Sequence, residues 1–104
     1  MVYKIIWTPD ALDSYLEIMN SLKIVWTEKE INTFAKNVDE RIRLLTTFSR
    51  IGSPFNKKRK LRKTLVHSTI QLYYKIDTTL GQIILLLFWD TRQNPKKLKK
   101  LSKK

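Results

Sequence analysis

The spacing of apolar residues changes repeatedly along this chain, and each change predicts an element. Val2 to Trp7 is a short apolar run rich in strand formers and reads as an opening strand. Thr8-Pro9-Asp10 then starts a helix. The Thr8 side chain can cap the free amides, Pro9 has its φ preset for the first turn, and Asp10 faces the positive end of the dipole. Leu12, Tyr15, Leu16 and Met19 follow at helical spacing and predict one buried stripe, and the pattern falters between Leu22 and Trp26. Thr27 with Glu30 three residues on forms a capping box and opens a second, longer helix. Ile31, Phe34, Ala35, Val38, Ile42 and Leu45 recur there at steps of three and four, opposite Lys29, Lys36, Asp39, Glu40 and Arg43. This helix must end before Gly52-Ser53-Pro54, so the two helices predict a hairpin.

Phe55 to Lys63 reads as a basic connector, after which the period switches to two. Over Ile70 to Asp77, the residues Ile70, Leu72, Tyr74 and Ile76 share one face, and Gln71, Tyr73 and Lys75 share the other. Thr78 to Gly81 is a turn. Gln82 to Trp89 is apolar throughout, as expected of a central strand covered on both faces. Leu65 to Ser68 supplies a further strand, Asp90 to Pro95 ends the sheet, and Lys96 to Lys104 is a short basic tail with Leu98 and Leu101 facing inward. The order is strand, two helices, three strands. It predicts a single α+β domain over residues 1–104, with a small, mainly antiparallel sheet carrying the helical pair on one face.

Composition narrows the chemistry. The chain has 104 residues, 42% of them hydrophobic, which suits one folded domain. There is no Cys, so disulfides, thiolate metal sites and cysteine nucleophiles are excluded. A single histidine, His67, argues against a histidine metal cluster or a catalytic triad, and no metal or cofactor is expected. The first ten residues, MVYKIIWTPD, do not read as a signal peptide. The longest apolar run, Ile83 to Trp89, falls far short of the ~20 residues that span a bilayer, so a cytoplasmic protein with no membrane partner is expected.

Charge changes the picture most. The formal net charge is +12, but residues 1–49 net −1 and residues 50–104 net +13. Such asymmetry recruits polyanions, either nucleic acid or an acidic protein segment. Lys57, Lys58, Arg59, Lys60, Arg62 and Lys63 place six cations in seven positions, a density that repels itself until an anion neutralises it. Phosphates would do so, as would the acidic side chains of a partner segment that folds on binding. Tyr73 shares its face with Lys75, suggesting an open sheet surface where an aromatic stacks on a base or a partner residue. Arg92, past the last strand, can fork onto a phosphate or a carboxylate, or pair with Asp90. His67, alone on a strand, reads as structural before catalytic. Trp7, Trp26, Phe34, Phe48, Tyr74 and Trp89 read as packing residues.

Several segments, taken together, carry a resemblance. Ile6-Trp7-Thr8-Pro9-Asp10-Ala11, the basic Lys60-Leu61-Arg62-Lys63, Leu72-Tyr73-Tyr74-Lys75-Ile76-Asp77 and Phe88-Trp89-Asp90-Thr91-Arg92-Gln93-Asn94-Pro95 occur in an order that resembles the RelE/ParE toxin superfamily of type II toxin–antitoxin systems. The last segment is most similar to the ParE-like branch, the plasmid stabilisation proteins. The resemblance covers nearly the whole chain. It implies a growth-inhibiting toxin that acts on DNA gyrase or on the ribosome and its mRNA, and that a cognate acidic antitoxin neutralises. RelE-type cleavage uses basic residues in the middle strands, an Arg after the last strand and a Tyr beyond it. By position Arg62 and Arg92 match that set, while Thr64, Gln71 and Leu98 stand where its other members would be, and Asp90 where relatives carry His. Lys63 or His67 could substitute in a nuclease. The incomplete set favours a ParE-like toxin that binds its target, with a ribosome-dependent mRNA endonuclease second and a basic nucleic-acid-binding module third.

Overall fold

The structure, a computed structural model, describes residues 2–92. The expectations for Gln93 to Pro95 and for the basic tail, Leu98 and Leu101 included, lie outside the described residues. The elements are β1 (Lys4–Trp7), α1 (Pro9–Val25), α2 (Glu28–Thr47), β2 (Ser53–Asn56), β3 (Leu61–His67), β4 (Ile70–Asp77) and β5 (Gln82–Asp90). They form one sheet in the order β1-β5-β4-β3-β2, with β1 parallel to β5 and every other pair antiparallel. The α+β architecture is the one the patterning predicts, with a mixed sheet.

Both helix starts are built as the sequence indicates. The Thr8 hydroxyl oxygen accepts from the Ala11 amide at 3.1 Å and donates to Leu85 O at 2.8 Å, which ties the cap of α1 to β5. Thr27 and Glu30 cap each other's amides at the start of α2. Phe34, Val38, Ile42 and Leu45 are buried on the sheet together with Ile70, Leu72, Tyr74, Ile83, Leu85 and Phe88. Trp7 stacks on Phe88 at 5.5 Å between ring centres, and Tyr15 stacks on Phe34 at 5.8 Å.

Three expectations need correction. First, α1 turns a different face inward: Ala11, Ser14, Ile18 and Leu22 are buried, Tyr15 and Met19 flank them, and Leu12 and Leu16 remain 47% and 49% exposed. The cause is an edge. β1 pairs with β5 only as far as Leu85, so on that side the Phe88 amide has no strand partner, and Ser14 Oγ accepts its hydrogen at 2.9 Å. A helix that close to a strand needs small residues facing it. Second, the connector is structured. Ser53–Asn56 forms the edge strand β2, and β3 begins at Leu61, so Arg62 and Lys63 are strand residues and the sheet has five strands where four were expected. Pro54 on that edge costs no ladder bond to an inner strand. Third, Phe48 is 59% exposed and belongs to no core.

The turn from α2 into β2 is held at Gly52. Its amide donates to the Tyr74 hydroxyl at 3.1 Å, the same hydroxyl donates to Ser49 O at 2.8 Å, and the Arg62 guanidinium donates to Gly52 O and, at 3.0 Å, to Arg50 O. A Cβ on Gly52 would lie 2.5 Å from Lys63 O and 2.7 Å from the Tyr74 hydroxyl, so only glycine fits.

Two outcomes follow for stability. Phe34→Ala, at a site with no exposure, should cost about 3–5 kcal/mol, whereas Leu16→Ala should stay within about 0.5 kcal/mol. Equilibrium denaturation of both variants checks the buried stripe of α2 and the outward-facing leucine of α1. Tyr74→Phe removes one buried hydroxyl and leaves the Gly52 amide and Ser49 carbonyl unpaired, at a cost of about 1–3 kcal/mol, read in the same experiment.

Candidate functional site

The sheet has two faces with different fates. Cross-strand partners share a face, and Ile70, Leu72 and Tyr74 face the helices. The register therefore sends Leu61, Lys63 and Leu65 of β3 and Gln71, Tyr73 and Lys75 of β4 to the opposite face. Lys63 lies directly across from Tyr73, and Leu61 from Lys75. Arg62, across from Tyr74, points the other way, toward the helix side.

The predicted site residues fall into three groups. Lys57, Lys58, Arg59 and Lys60 form the turn between β2 and β3. The turn is fixed by Asn56 Oδ1, which accepts from the Arg59 amide at 3.1 Å, and by the Lys60 amide, which donates to Lys57 O at 3.2 Å. Lys60 closes it with φ of 59°, a left-handed conformation that a side chain strains to hold. Lys63, Tyr73 and Lys75 occupy the helix-free face. His67 and Arg92 sit at the far end of β3 and β5. From Leu61 to His67 the strand runs roughly 20 Å, so the turn and Arg92 cannot meet on one small ligand.

Tyr73 is not the open stacking platform that alternation predicts. It is 2% exposed, because Phe55 of β2 packs edge-on against its ring at 4.8 Å. Burial pushes its hydroxyl above the usual phenol range. Lys63 Nζ lies 5.9 Å from the centre of the Phe55 ring, so the aromatic surface on this face is Phe55, with a cation over it. In sequence Ser53-Pro54-Phe55-Asn56 reads as loop, and the aromatic Phe55 is its one sign of a buried contact. Lys75 is exposed, as expected.

Arg62 is engaged rather than free, with its guanidinium spent on Arg50 O and Gly52 O and its Nε buried without a hydrogen-bond partner. His67 packs edge-on against Trp26 at 5.2 Å and Phe34 at 5.6 Å, and its Nδ1 lies 2.7 Å from Asn37 Nδ2. His67 therefore lies on the helix side of the sheet, across it from the face that carries Lys63.

Arg92 makes the pair with Asp90. Its Nε and backbone amide donate to Oδ1 at 3.1 and 3.0 Å, and Nη2 donates to Oδ2 at 2.8 Å. Thr69 adds a hydroxyl donor to Oδ1 at 2.9 Å. The Arg92 side chain stays 65% exposed while that of Asp90 is 10% exposed, so the carboxylate is the anchored partner and the guanidinium presents its outer edge. The hydrogen bonds from Arg92 hold the Asp90 carboxyl below the usual carboxylate range against the opposing effect of burial.

No family model matches the chain, and no curated protein matches it in sequence. Among solved structures, the fold is similar to that of a chain in the RelBE2 toxin–antitoxin complex from Mycobacterium tuberculosis. The TM-score is 0.54 at 13% identity, over 85% of this chain and 96% of that one. At this identity the likeness is one of fold. It agrees with the RelE-like arrangement of two helices on a mixed five-stranded sheet.

Because the Asp90 carboxyl is depressed in the folded protein, its contribution is fully present above the unfolded value near 3.9 and is lost as pH falls through the folded value. Arg92→Ala should raise the Asp90 carboxyl toward the ordinary range. Asp90→Asn should flatten the acid limb of stability against pH, and carboxyl titration by NMR with acid denaturation measures both.

Proposed function

We propose that this chain is the toxin of a type II toxin–antitoxin pair, a ParE-like protein that inhibits growth by binding an essential target, DNA gyrase being the candidate. The observation that carries the reading is the fold shared with a chain of a toxin–antitoxin complex over nearly the whole of that chain, joined to a half-chain charge of +13 suited to an acidic antitoxin. The state of the candidate residues favours binding over RNA cleavage. Arg62 is committed to backbone carbonyls, His67 is packed between Trp26 and Phe34, and Thr64 and Gln71 offer no proton carrier. Lys63 and Lys75 on the helix-free face, the turn cations Lys57, Lys58, Arg59 and Lys60, and Arg92 are the residues assigned to partner or target contact. A ribosome-dependent mRNA endonuclease is the second reading, which Arg92 and the basic face would also serve.

Induced expression should arrest growth with transcripts intact and the DNA-damage response raised, and co-expression with a cognate acidic antitoxin should relieve it. Arg92→Ala should restore growth by at least tenfold in plating efficiency while keeping the circular dichroism of the parent, and His67→Ala should remain toxic. Cleaved transcripts that disappear with His67→Ala would replace this reading with the endonuclease, and a chain without effect on growth would end it.

A further inference from the structure

We propose that a cleft at the β2–β3 end of the sheet is a binding site for single-stranded nucleic acid, holding one nucleotide with its phosphate against Arg50, Lys57 and Lys60. This goes beyond the toxin reading and does not depend on it. The cleft has a volume of about 300 Å³, and its lining includes Arg50, Lys57, Lys60 and Arg62 beside Pro54, Leu61, Ile76 and Thr78. No acidic side chain lines it. Arg50, Lys57 and Lys60 are exposed and carry no ion pair within the described residues.

The cations are delivered by fixed backbone. Arg62 donates to the carbonyl of Arg50 and so holds that residue at the mouth. Lys60 is kept in the left-handed region, a conformation an unconstrained lysine avoids, and the turn that imposes it is pinned by Asn56. Arg62 is therefore a positioning residue here, which also explains why so polar a group is placed under the loop. Three cations converging on one concavity suit a tetrahedral phosphate, which accepts from several directions at once. The apolar wall of Pro54, Leu61 and Ile76 suits the sugar or base of that nucleotide, and an unpaired strand can insert one where a duplex cannot.

The other turn cations give the strand a course. Lys58 shares the turn with the cleft cations, and Lys63 and Lys75 lie on the helix-free face of the adjoining strands. An acidic helix would call for a long apolar groove instead. The pocket lined by Trp7, Tyr15, Val38 and Ile42, with Lys36 and Asp39, is the more apolar of the two, and the cleft is the more basic.

Fluorescence anisotropy with labelled 12-mers of single-stranded RNA, single-stranded DNA and duplex DNA, from 50 to 200 mM salt, tests the assignment on the full chain. Single strands should bind at least tenfold tighter than duplex, and the tighter of RNA and DNA identifies the source of the phosphate. Combined Arg50→Ala, Lys57→Ala and Lys60→Ala should weaken single-strand binding at least tenfold and lower the salt slope by about 0.7, the contribution of one neutralised phosphate on a single strand. Combined Lys23→Ala, Lys29→Ala and Lys36→Ala, equal in charge and placed on the helices, should leave the slope unchanged. Equal losses from the two triple variants, equal affinity for duplex, or polyglutamate binding as tightly through the same three side chains would each overturn the proposal.

Discussion

The backbone of Gly52 is grasped from both sides, its amide by the Tyr74 hydroxyl and its carbonyl by the Arg62 guanidinium. The β2–β3 corner of the sheet depends on that clasp. It ends the excursion from α2, sets β2 beside β3, and thereby lays Phe55 over Tyr73. It also fixes where Arg50 and the β2–β3 turn stand. Both partners of the clasp reach in from the helix side of the sheet, from adjacent strands and directly opposite each other in register. A tyrosine buried for packing and an arginine that reads as a ligand-binding residue thus share one structural task, at a position where no side chain larger than hydrogen fits.

A second constraint acts at the other edge. β5 outruns β1, and the orphaned amide of Phe88 is satisfied by Ser14 from a helix rather than by a strand. Unpaired amides in a covered position are costly, so the helix approaches until its serine can serve. The leucines that a helical wheel would bury, Leu12 and Leu16, are turned outward as a result. Together the two edges show a small sheet closing its ladders with side chains where strands run out.

The cations are arranged by the same geometry. A run of six in seven positions looks like one patch in sequence, yet strand alternation and the turn divide it. Arg62 goes to the helix side, Lys63 to the free face, and Lys57 with Lys60 to the cleft at the sheet's end. Dispersing the charge around one corner relieves repulsion among the cations. Arg92, at the opposite end, is steadied by a carboxylate whose own charge it secures.

Patterning by itself determined the two helices with their caps, the alternation of β4, the interior place of β5 and the α+β class, because each rests on contacts close in sequence or on a local period. It also located the charge. What it could not determine was any feature fixed by a long-range partner. Ser53–Asn56 becomes a strand only because β3 is there to pair with it, Tyr73 is covered only because that strand brings Phe55, and α1 chooses its inward face only because β5 presents an unpaired amide. Arg62 and His67 carry no mark in the sequence that separates a structural cation from a binding one or a packed imidazole from a reactive one. That distinction is made by Gly52 and by Trp26 and Phe34, residues far along the chain that only the tertiary structure brings alongside.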